Sequence, residues 1–281
     1  MSRQRYAIIG FPLKHSFSPF IHNRAFNDLK INAQYEKIEI LPEQFEQEMV
    51  RLKHANIAGF NVTIPFKERI LPYVDYLSPD AGEIGAVNTV KRVDGQWQGF
   101  NTDWIGFLKP LEAQANEIES CLMLGAGGAA RGVLYALLQL TGLQTILIAN
   151  RTPQRAKELM RGFTAVNKVN IEVIDLERLK TLQKQFDLIV NTTSVGMLGH
   201  EAGPLVDPLK IAHSQTLVYD LIYNPPNTPL LERAGQAGLK IINGLPMLIF
   251  QAEAACKIWT GYKYPERTLQ FLFETLPDLS R

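Results

Sequence analysis

The sequence predicts an α/β protein of two α/β domains, each built on a mainly parallel sheet. Two observations carry this: short apolar runs alternate with helical patterns almost throughout, and one turn dipeptide breaks the alternation near residue 95. Alternation of this kind places parallel strands in a sheet with helices on its faces. Strand-like runs are Arg5–Phe11, Gln34–Ile40, Ile57–Ile64, Ser120–Gly125, Gln144–Asn150, Asn170–Ile174, Phe186–Asn191, Thr216–Leu221 and Leu239–Ile242. Helical patterns between them cover Phe17–Ile31, Pro42–Lys53, Gly128–Thr141, Pro153–Ala165 and Pro229–Ala237. In Val87–Val93, Asp94-Gly95 and Gln96–Asn101, the Asp-Gly pair accepts the positive φ values of a tight hairpin. Trp104–Ala115 reads as a connecting helix, and Met247–Trp259 and Pro265–Leu276 as a helical end. The expected domains are 1–103, completed by C-terminal helices within 245–281, and 104–244.

The 281 residues are 46% hydrophobic and 20% charged, enough apolar material for a real core. Twenty-nine basic against 28 acidic residues leave a formal charge of +1. That balance gives no footprint for nucleic acid or an anionic membrane, so an anionic ligand needs a local site. Cys121 and Cys256 are too few for a disulfide framework or a cysteine-rich metal site. His15, His22, His54, His200 and His213 include no i, i+4 pair of a zinc helix, so no metal is expected. No apolar run reaches the ~18 residues of a membrane span. The expectation is a cytoplasmic protein acting on a small molecule, as a monomer or homodimer.

Ser120-Cys121-Leu122-Met123-Leu124 is a buried-strand pattern, and it runs directly into Gly125-Ala126-Gly127-Gly128-Ala129-Ala130. This is G-x-G-x-x-G/A with Ala130 in the third place. A helical stripe follows at Val133, Leu134, Leu137 and Leu138. Gly125 suits a tight turn, Gly127 lets backbone approach a pyrophosphate, and Ala130 permits close helix–strand packing. The helix start then offers free N–H groups and a positive dipole end to phosphate. The competing reading is a Gly-rich turn that only joins strand to helix. With its strand before and helix after, the motif predicts a Rossmann-type dinucleotide-binding domain. The next strand ends at Asn150-Arg151-Thr152, where an Asp or Glu would take the ribose 2′-OH of NAD. Arg151 and Arg155 stand there instead, which suits a 2′-phosphate and favours NADP over NAD. The alternative is a solvated basic helix start, an odd choice beside a positive dipole end.

The first hundred residues carry polar clusters that a plain core does not need. Ser16 and Ser18 lie two apart, just after a strand; Ser18-Pro19 alone is explained as an N-cap followed by a first-turn proline. Asn61 and Thr63 share one face of a strand that Pro65 stops. Lys67 follows at the strand's carboxyl end, where ligands bind in parallel sheets, although a lysine there is more often a solvated loop charge. Asn88 and Asp103 flank the hairpin; Asp103 also reads as the N-cap of the helix at Trp104. Reduction of a carbonyl by hydride places negative charge on oxygen, which needs a proton and a nearby cation. A lysine positioned by an aspartate supplies both.

These motifs resemble the shikimate dehydrogenase family over essentially the full length. The markers are His15–Pro19, Asn61–Lys67, Gly85–Thr89, Asn101–Asp103, Gly125–Arg131, Asn150–Thr152 with Arg155, Asn191–Met197 and Gly244–Gln251. The resemblance implies reversible reduction of 3-dehydroshikimate to shikimate by NADPH, on the path to chorismate and the aromatic amino acids. It implies that Ser16 and Ser18 hold the substrate carboxylate, helped by Tyr223. Asn61, Thr63, Asn88, Asp103 and Gln251 would bind ring hydroxyls, and Lys67, paired with Asp103, would be the acid–base residue. Gly125, Ala126, Gly127, Gly128 and Ala129 would wrap the pyrophosphate. Asn150, Arg151, Thr152 and Arg155 would hold the adenosine end, and Leu221 and Gly244 would line the nicotinamide site. Without the family, Gln251 reads equally as a buried amide bonded to a backbone carbonyl. Pro246 and Asn243 depart from the family's more usual glycine and aspartate. Two alternatives stay open: a quinate/shikimate dehydrogenase with relaxed cofactor use, and a non-catalytic NADPH-binding regulator.

Overall fold

A computed structural model describes residues 3–163, 169–197 and 204–279. His200 and the end of the helix expected to reach Ala165 lie outside the described residues. The chain divides into two compact units, Met1–Gly106 with Ile249–Leu272, and Phe107–Leu248 with Phe273–Arg281.

In the first unit the elements are β1 (Gln4–Gly10), α1 (Ser18–Asp28), β2 (Ala33–Glu39), α2 (Phe45–His54), β3 (Gly59–Val62), β4 (Tyr76–Leu77), α3 (Pro79–Ile84), β5 (Thr89–Val93), β6 (Gln96–Phe100) and the start of α4 (Asp103–Leu108). The sheet order is β2-β1-β3-β5-β6-β4. The β1, β2 and β3 pairings are parallel, whereas the β5–β6 hairpin is antiparallel and pairs antiparallel to β3. Asp94 and Gly95 turn this hairpin at φ values of 50° and 82°, the positive region that the dipeptide predicted. One face packs on Ile9, Phe45, Phe60, Phe66, Val90 and Trp97. On the other side, Tyr6 stacks within 4.9 Å of Trp259, and His22 within 4.4 Å of Tyr35. Trp259 also donates to the Val90 carbonyl at 2.9 Å, so a residue far along the chain completes this core.

The second unit continues with β7 (Ser120–Leu124), α5 (Gly128–Leu137), β8 (Thr145–Ala149), α6 (Pro153–Met160), β9 (Asn170–Ile174), α7 (Leu176–Lys180), β10 (Phe186–Asn191), β11 (Ala212–Asp220), α8 (Pro229–Gln236) and β12 (Lys240–Ile242). Helices α9 (Leu245–Thr260) and α10 (Glu266–Leu279) follow. Every pairing in this sheet is parallel, in the order β12-β11-β10-β7-β8-β9. This is the doubly wound 3-2-1-4-5-6 arrangement read from the β9 edge, with its topological switch point between β7 and β10.

Several local expectations are corrected. The helix expected over Trp104–Ala115 stops at Leu108 and tightens into a 3-10 turn at Lys109–Leu111, because Pro110 cannot continue the backbone ladder. Ser18 is not the N-cap of α1; Phe17 takes that place without a side-chain cap bond, and Ser18 lies inside the first turn. The divisions between the units fall inside α4, α9 and α10, and Phe273–Arg281 groups with the second unit.

Candidate active site

In the first unit, Lys67 follows β3 and its Nζ donates to Asp103 Oδ2 at 2.7 Å. The lysine and aspartate side chains are only 16% and 9% exposed, so the pair is partly withdrawn from water. Asp103 Oδ1 accepts from Asn88 Nδ2 at 2.8 Å. Both carboxylate oxygens are therefore engaged by side chains, and the N-cap expectation for Asp103 is not realised; its own N–H donates to Asn101 Oδ1 at 3.0 Å.

Asn88 is 2% exposed and its amide is saturated. Its Nδ2 donates to Thr102 Oγ1 and Asp103, and its Oδ1 accepts from the Thr102 N–H at 2.8 Å and from Thr89 Oγ1 at 2.9 Å. An amide oxygen has two lone pairs. Asn88 thus braces the site and can meet a ligand only by releasing one of these partners. Asn61 differs. Its Nδ2 donates to the Asn88 carbonyl and to Thr89 Oγ1, and its Oδ1 accepts from Tyr35 Oη at 2.6 Å, beside the buried His22 ring.

Ser16 Oγ lies 3.3 Å from Ser18 Oγ and accepts from the Ser18 N–H at 3.4 Å, so the two hydroxyls converge at the start of α1. Ser18 is buried, whereas Ser16 and Thr63 are half-buried. Gln251 is half-buried on α9 in the same unit, one turn after Met247. Tyr223 belongs to the other unit, and burial raises its phenol pKa above the usual value.

At the switch point of the second unit, Gly125 leaves β7 with φ 104°, and a Cβ there would lie 2.6 Å from Thr192 Oγ1. Thr192 closes that turn by donating to the Leu124 carbonyl through its N–H and its hydroxyl, at 2.9 and 2.8 Å. Gly127 and Gly128 are the opposite case, exposed and with nothing within 4 Å of an added Cβ. A ligand phosphate can approach this backbone without a side chain in the way, and α5 begins at Gly128. Ala126 and Ala129 are half-buried beside it.

At the end of β8, Asn150 Nδ2 folds back onto the Thr152 carbonyl at 2.7 Å. Arg151, Thr152 and Arg155 are exposed at the start of α6. Among the described residues neither guanidinium has an ion-pair partner, and Thr152 caps the helix without a side-chain bond. These residues fit a ribose phosphate: cations and free N–H groups together, with no carboxylate at the strand end.

Gly244 sits where a Cβ would fall 1.9 Å from the Leu221 carbonyl oxygen, while its N–H donates to the Ile222 carbonyl at 2.9 Å. The Gly244 and Leu221 backbones therefore touch, as the sequence alone could not tell. Asn243 holds the start of α9 by accepting from the Leu245 N–H at 3.1 Å, which accommodates Pro246 within the first turn.

The sequence reading gave no role to Tyr35, Asn191 or Asp220. Asn191 and Asp220 end β10 and β11, and a polar residue at the carboxyl end of a parallel strand was the available signal. Among the described residues no group of three or more His, Cys, Asp or Glu is placed to hold a metal. None of the described helices is long and apolar enough to cross a membrane.

A doubly wound sheet with an open glycine turn, in one chain with a unit that carries a lysine–aspartate pair, defines the class of dinucleotide-binding two-unit α/β proteins. Residues 8–90 match the family described as shikimate dehydrogenase substrate binding domain, and residues 111–228 match shikimate / quinate 5-dehydrogenase. A curated shikimate dehydrogenase (NADP(+)) from Halothermothrix orenii is 41% identical over 286 residues, covering 99% of this chain and 98% of that protein. The crystal structure of shikimate dehydrogenase from Aquifex aeolicus superposes with a TM-score of 0.85 at 40% identity, covering 96% of this chain and 97% of that one. That of the Thermus thermophilus shikimate 5-dehydrogenase in complex with NADP(H) and shikimate gives 0.82 at 36% identity, covering 96% and 98%. The chain belongs to the shikimate dehydrogenase family.

Proposed function

We propose that the protein is a shikimate dehydrogenase, an oxidoreductase that interconverts 3-dehydroshikimate and shikimate with NADP(H). The observation that carries this is the Lys67–Asp103 pair at 2.7 Å, in the same unit as Ser16, Ser18, Asn61 and Thr63, in a chain whose other unit is a dinucleotide fold. When bound, NADPH supplies hydride to the ketone carbon. The protein's task is the oxygen. Lys67 spends one of its three N–H donors on Asp103 and keeps the others for a substrate oxygen, where it stabilises developing charge and delivers the proton. In the reverse direction its neutral amine takes the hydroxyl proton. Asp103 fixes the amine and keeps a negative charge beside it.

The converging Ser16 and Ser18 hydroxyls receive the substrate carboxylate, with Tyr223 assisting. Asn61, Thr63 and Gln251 meet ring hydroxyls, and Asn88 holds Asp103 in place. The Gly125–Ala129 backbone receives the pyrophosphate; Asn150, Arg151, Thr152 and Arg155 receive the adenosine end with its 2′-phosphate; Leu221 and Gly244 border the nicotinamide. The same reading places the protein in the cytoplasm as a monomer or homodimer.

Incubation with shikimate and NADP, followed by absorbance of the reduced nicotinamide, tests the activity. Lys67→Ala should lower turnover by about 10²–10⁴, the usual contribution of an acid–base group. Near-wild-type turnover in a folded Lys67→Ala protein removes the mechanism. Parallel assays with quinate and NAD decide between this activity and a broader quinate/shikimate dehydrogenase.

A further inference from the structure

Asp220 ends β11 with 0% exposure, and among the described residues it has no cationic partner. Burial raises its pKa above the usual carboxylate value, against the hydrogen bonds that hold it. Donors converge on it from two loops. Asn191 Nδ2 reaches Oδ1 at 3.0 Å, the Ile222 N–H reaches Oδ1 at 3.1 Å, and the Thr228 hydroxyl reaches Oδ2 at 2.7 Å.

Each donor belongs to a segment at the carboxyl edge of the sheet. Asn191 in turn accepts from the Thr193 N–H and hydroxyl, at 3.1 and 2.7 Å, and donates to the Val195 carbonyl. Thr192 and Thr193 are the residues that a Cβ on Gly125 would strike. On the other side, Ile222 accepts from the Gly244 N–H, and Thr228 caps α8 by accepting from the Leu231 N–H. One carboxylate therefore ties the 191–195 loop to the 221–228 loop, and through them the glycine turn and the Gly244 contact. A buried polar network of this kind is seldom the cheapest route to stability, since well-packed apolar groups often do as well. What it fixes is position.

We propose that Asp220 is a positioning residue that holds the two loops flanking the nicotinamide half of NADP(H), and that it acts on that half alone. The proposal rests on the dehydrogenase reading and on Leu221 and Gly244 bordering the nicotinamide. The adenosine end, at Asn150–Arg155, shares no hydrogen bond with this network among the described residues. The two halves of the cofactor should therefore respond differently when Asp220 is changed.

The experiment compares wild type with Asp220→Asn, and with Thr228→Val, which removes the same bond from the other partner. Thr228→Ser, which retains the hydroxyl, is the control. Calorimetric titration measures affinity for NADP and for adenosine 2′-monophosphate, which carries the adenosine end without either phosphate of the pyrophosphate; kcat is measured with shikimate. Asp220→Asn and Thr228→Val should weaken NADP or lower kcat at least tenfold, with the adenosine monophosphate unchanged within twofold and Thr228→Ser close to wild type. Equal losses for both probes mean general damage to the unit and overturn the proposal, as does unchanged NADP affinity with unchanged kcat. If Asp220→Asn does not fold, the Thr228 pair delivers the same comparison. A wild type that binds NADP but does not oxidise shikimate defeats the dehydrogenase reading alone, because the binding comparison still tests Asp220. A wild type that binds neither probe overturns both.

Discussion

Tyr35 of β2 and Asn61 of β3 are joined by a 2.6 Å hydrogen bond that spans β1, the strand between them, and the Tyr35 ring is stacked on His22 at 4.4 Å. The tyrosine helps set the orientation of the amide, because its hydroxyl donates to Asn61 Oδ1. Tyr35→Phe keeps the packing and strips that donor. A buried acceptor left unsatisfied costs about 1–3 kcal/mol. The expected outcome is a melting temperature lower by a few degrees, with KM for shikimate raised severalfold and kcat little changed. An unchanged KM would show that Asn61 orientation does not matter to substrate.

Asp103→Asn keeps the shape of the side chain and removes the charge beside Lys67. The Asn88 and Lys67 bonds, at 2.8 and 2.7 Å, must then compete for one remaining carbonyl oxygen. Turnover should fall by at least tenfold while the far-ultraviolet circular dichroism spectrum is preserved. Equal kcat in the two proteins would leave Lys67 needing no partner.

Two glycine substitutions should separate folding from binding. Gly244→Ala forces a Cβ to within 1.9 Å of the Leu221 oxygen, so backbone must move. Its melting temperature should drop sharply, since overpacking against rigid groups costs about 1–3 kcal/mol or more. Gly127→Ala meets nothing within 4 Å. It should melt like wild type yet bind NADP more than tenfold less tightly, because the methyl occupies the space open to pyrophosphate. Thermal melts and NADP titrations on both variants check the contrast.

Arg151→Ala should raise KM for NADPH far more than KM for NADH, since only the former carries the 2′-phosphate. Equal effects would assign Arg151 to adenine stacking instead.

His22 is fully buried, and burial lowers its pKa from 6.5 to about 3. The unfolded chain therefore binds a proton that the folded chain refuses between those values. Stability attached to His22 is complete above pH 6.5 and is lost as pH falls toward 3. The slope from one such proton is at most about 1.4 kcal/mol per pH unit. Urea unfolding between pH 7 and pH 4 should show a shallower acid loss in His22→Phe than in wild type. Parallel curves would mean that His22 titrates normally.

The architecture was legible because strand and helix periodicity is local. Asn170–Ile174 and Phe186–Asn191 match their strands to the residue. β4 was missed because two residues carry no period, and β11 starts at Ala212 because Ala212 pairs with Phe186 across a register shift that takes in the polar His213–Gln215 stretch. The site was legible where motif and geometry coincide, as at Lys67 and Gly125. It was not legible where partners are set by tertiary contact. Asn88 gave no sign that its amide would be saturated, and Asp220 meets Asn191 from 29 residues away. Nor could Ser18 be separated from a helix cap until Phe17 was seen in that place.

Trp259 reaches back to Val90, Lys91 to the Ile258 carbonyl, and Arg267 to the Asp28 carbonyl. During synthesis the amino-terminal sheet therefore emerges from the ribosome long before the helix that covers one of its faces. Its Tyr6, His22 and Tyr35 side waits, uncovered, for the whole Rossmann segment to be translated. This half of the protein must either be sheltered as a nascent chain or gather its last helix after release.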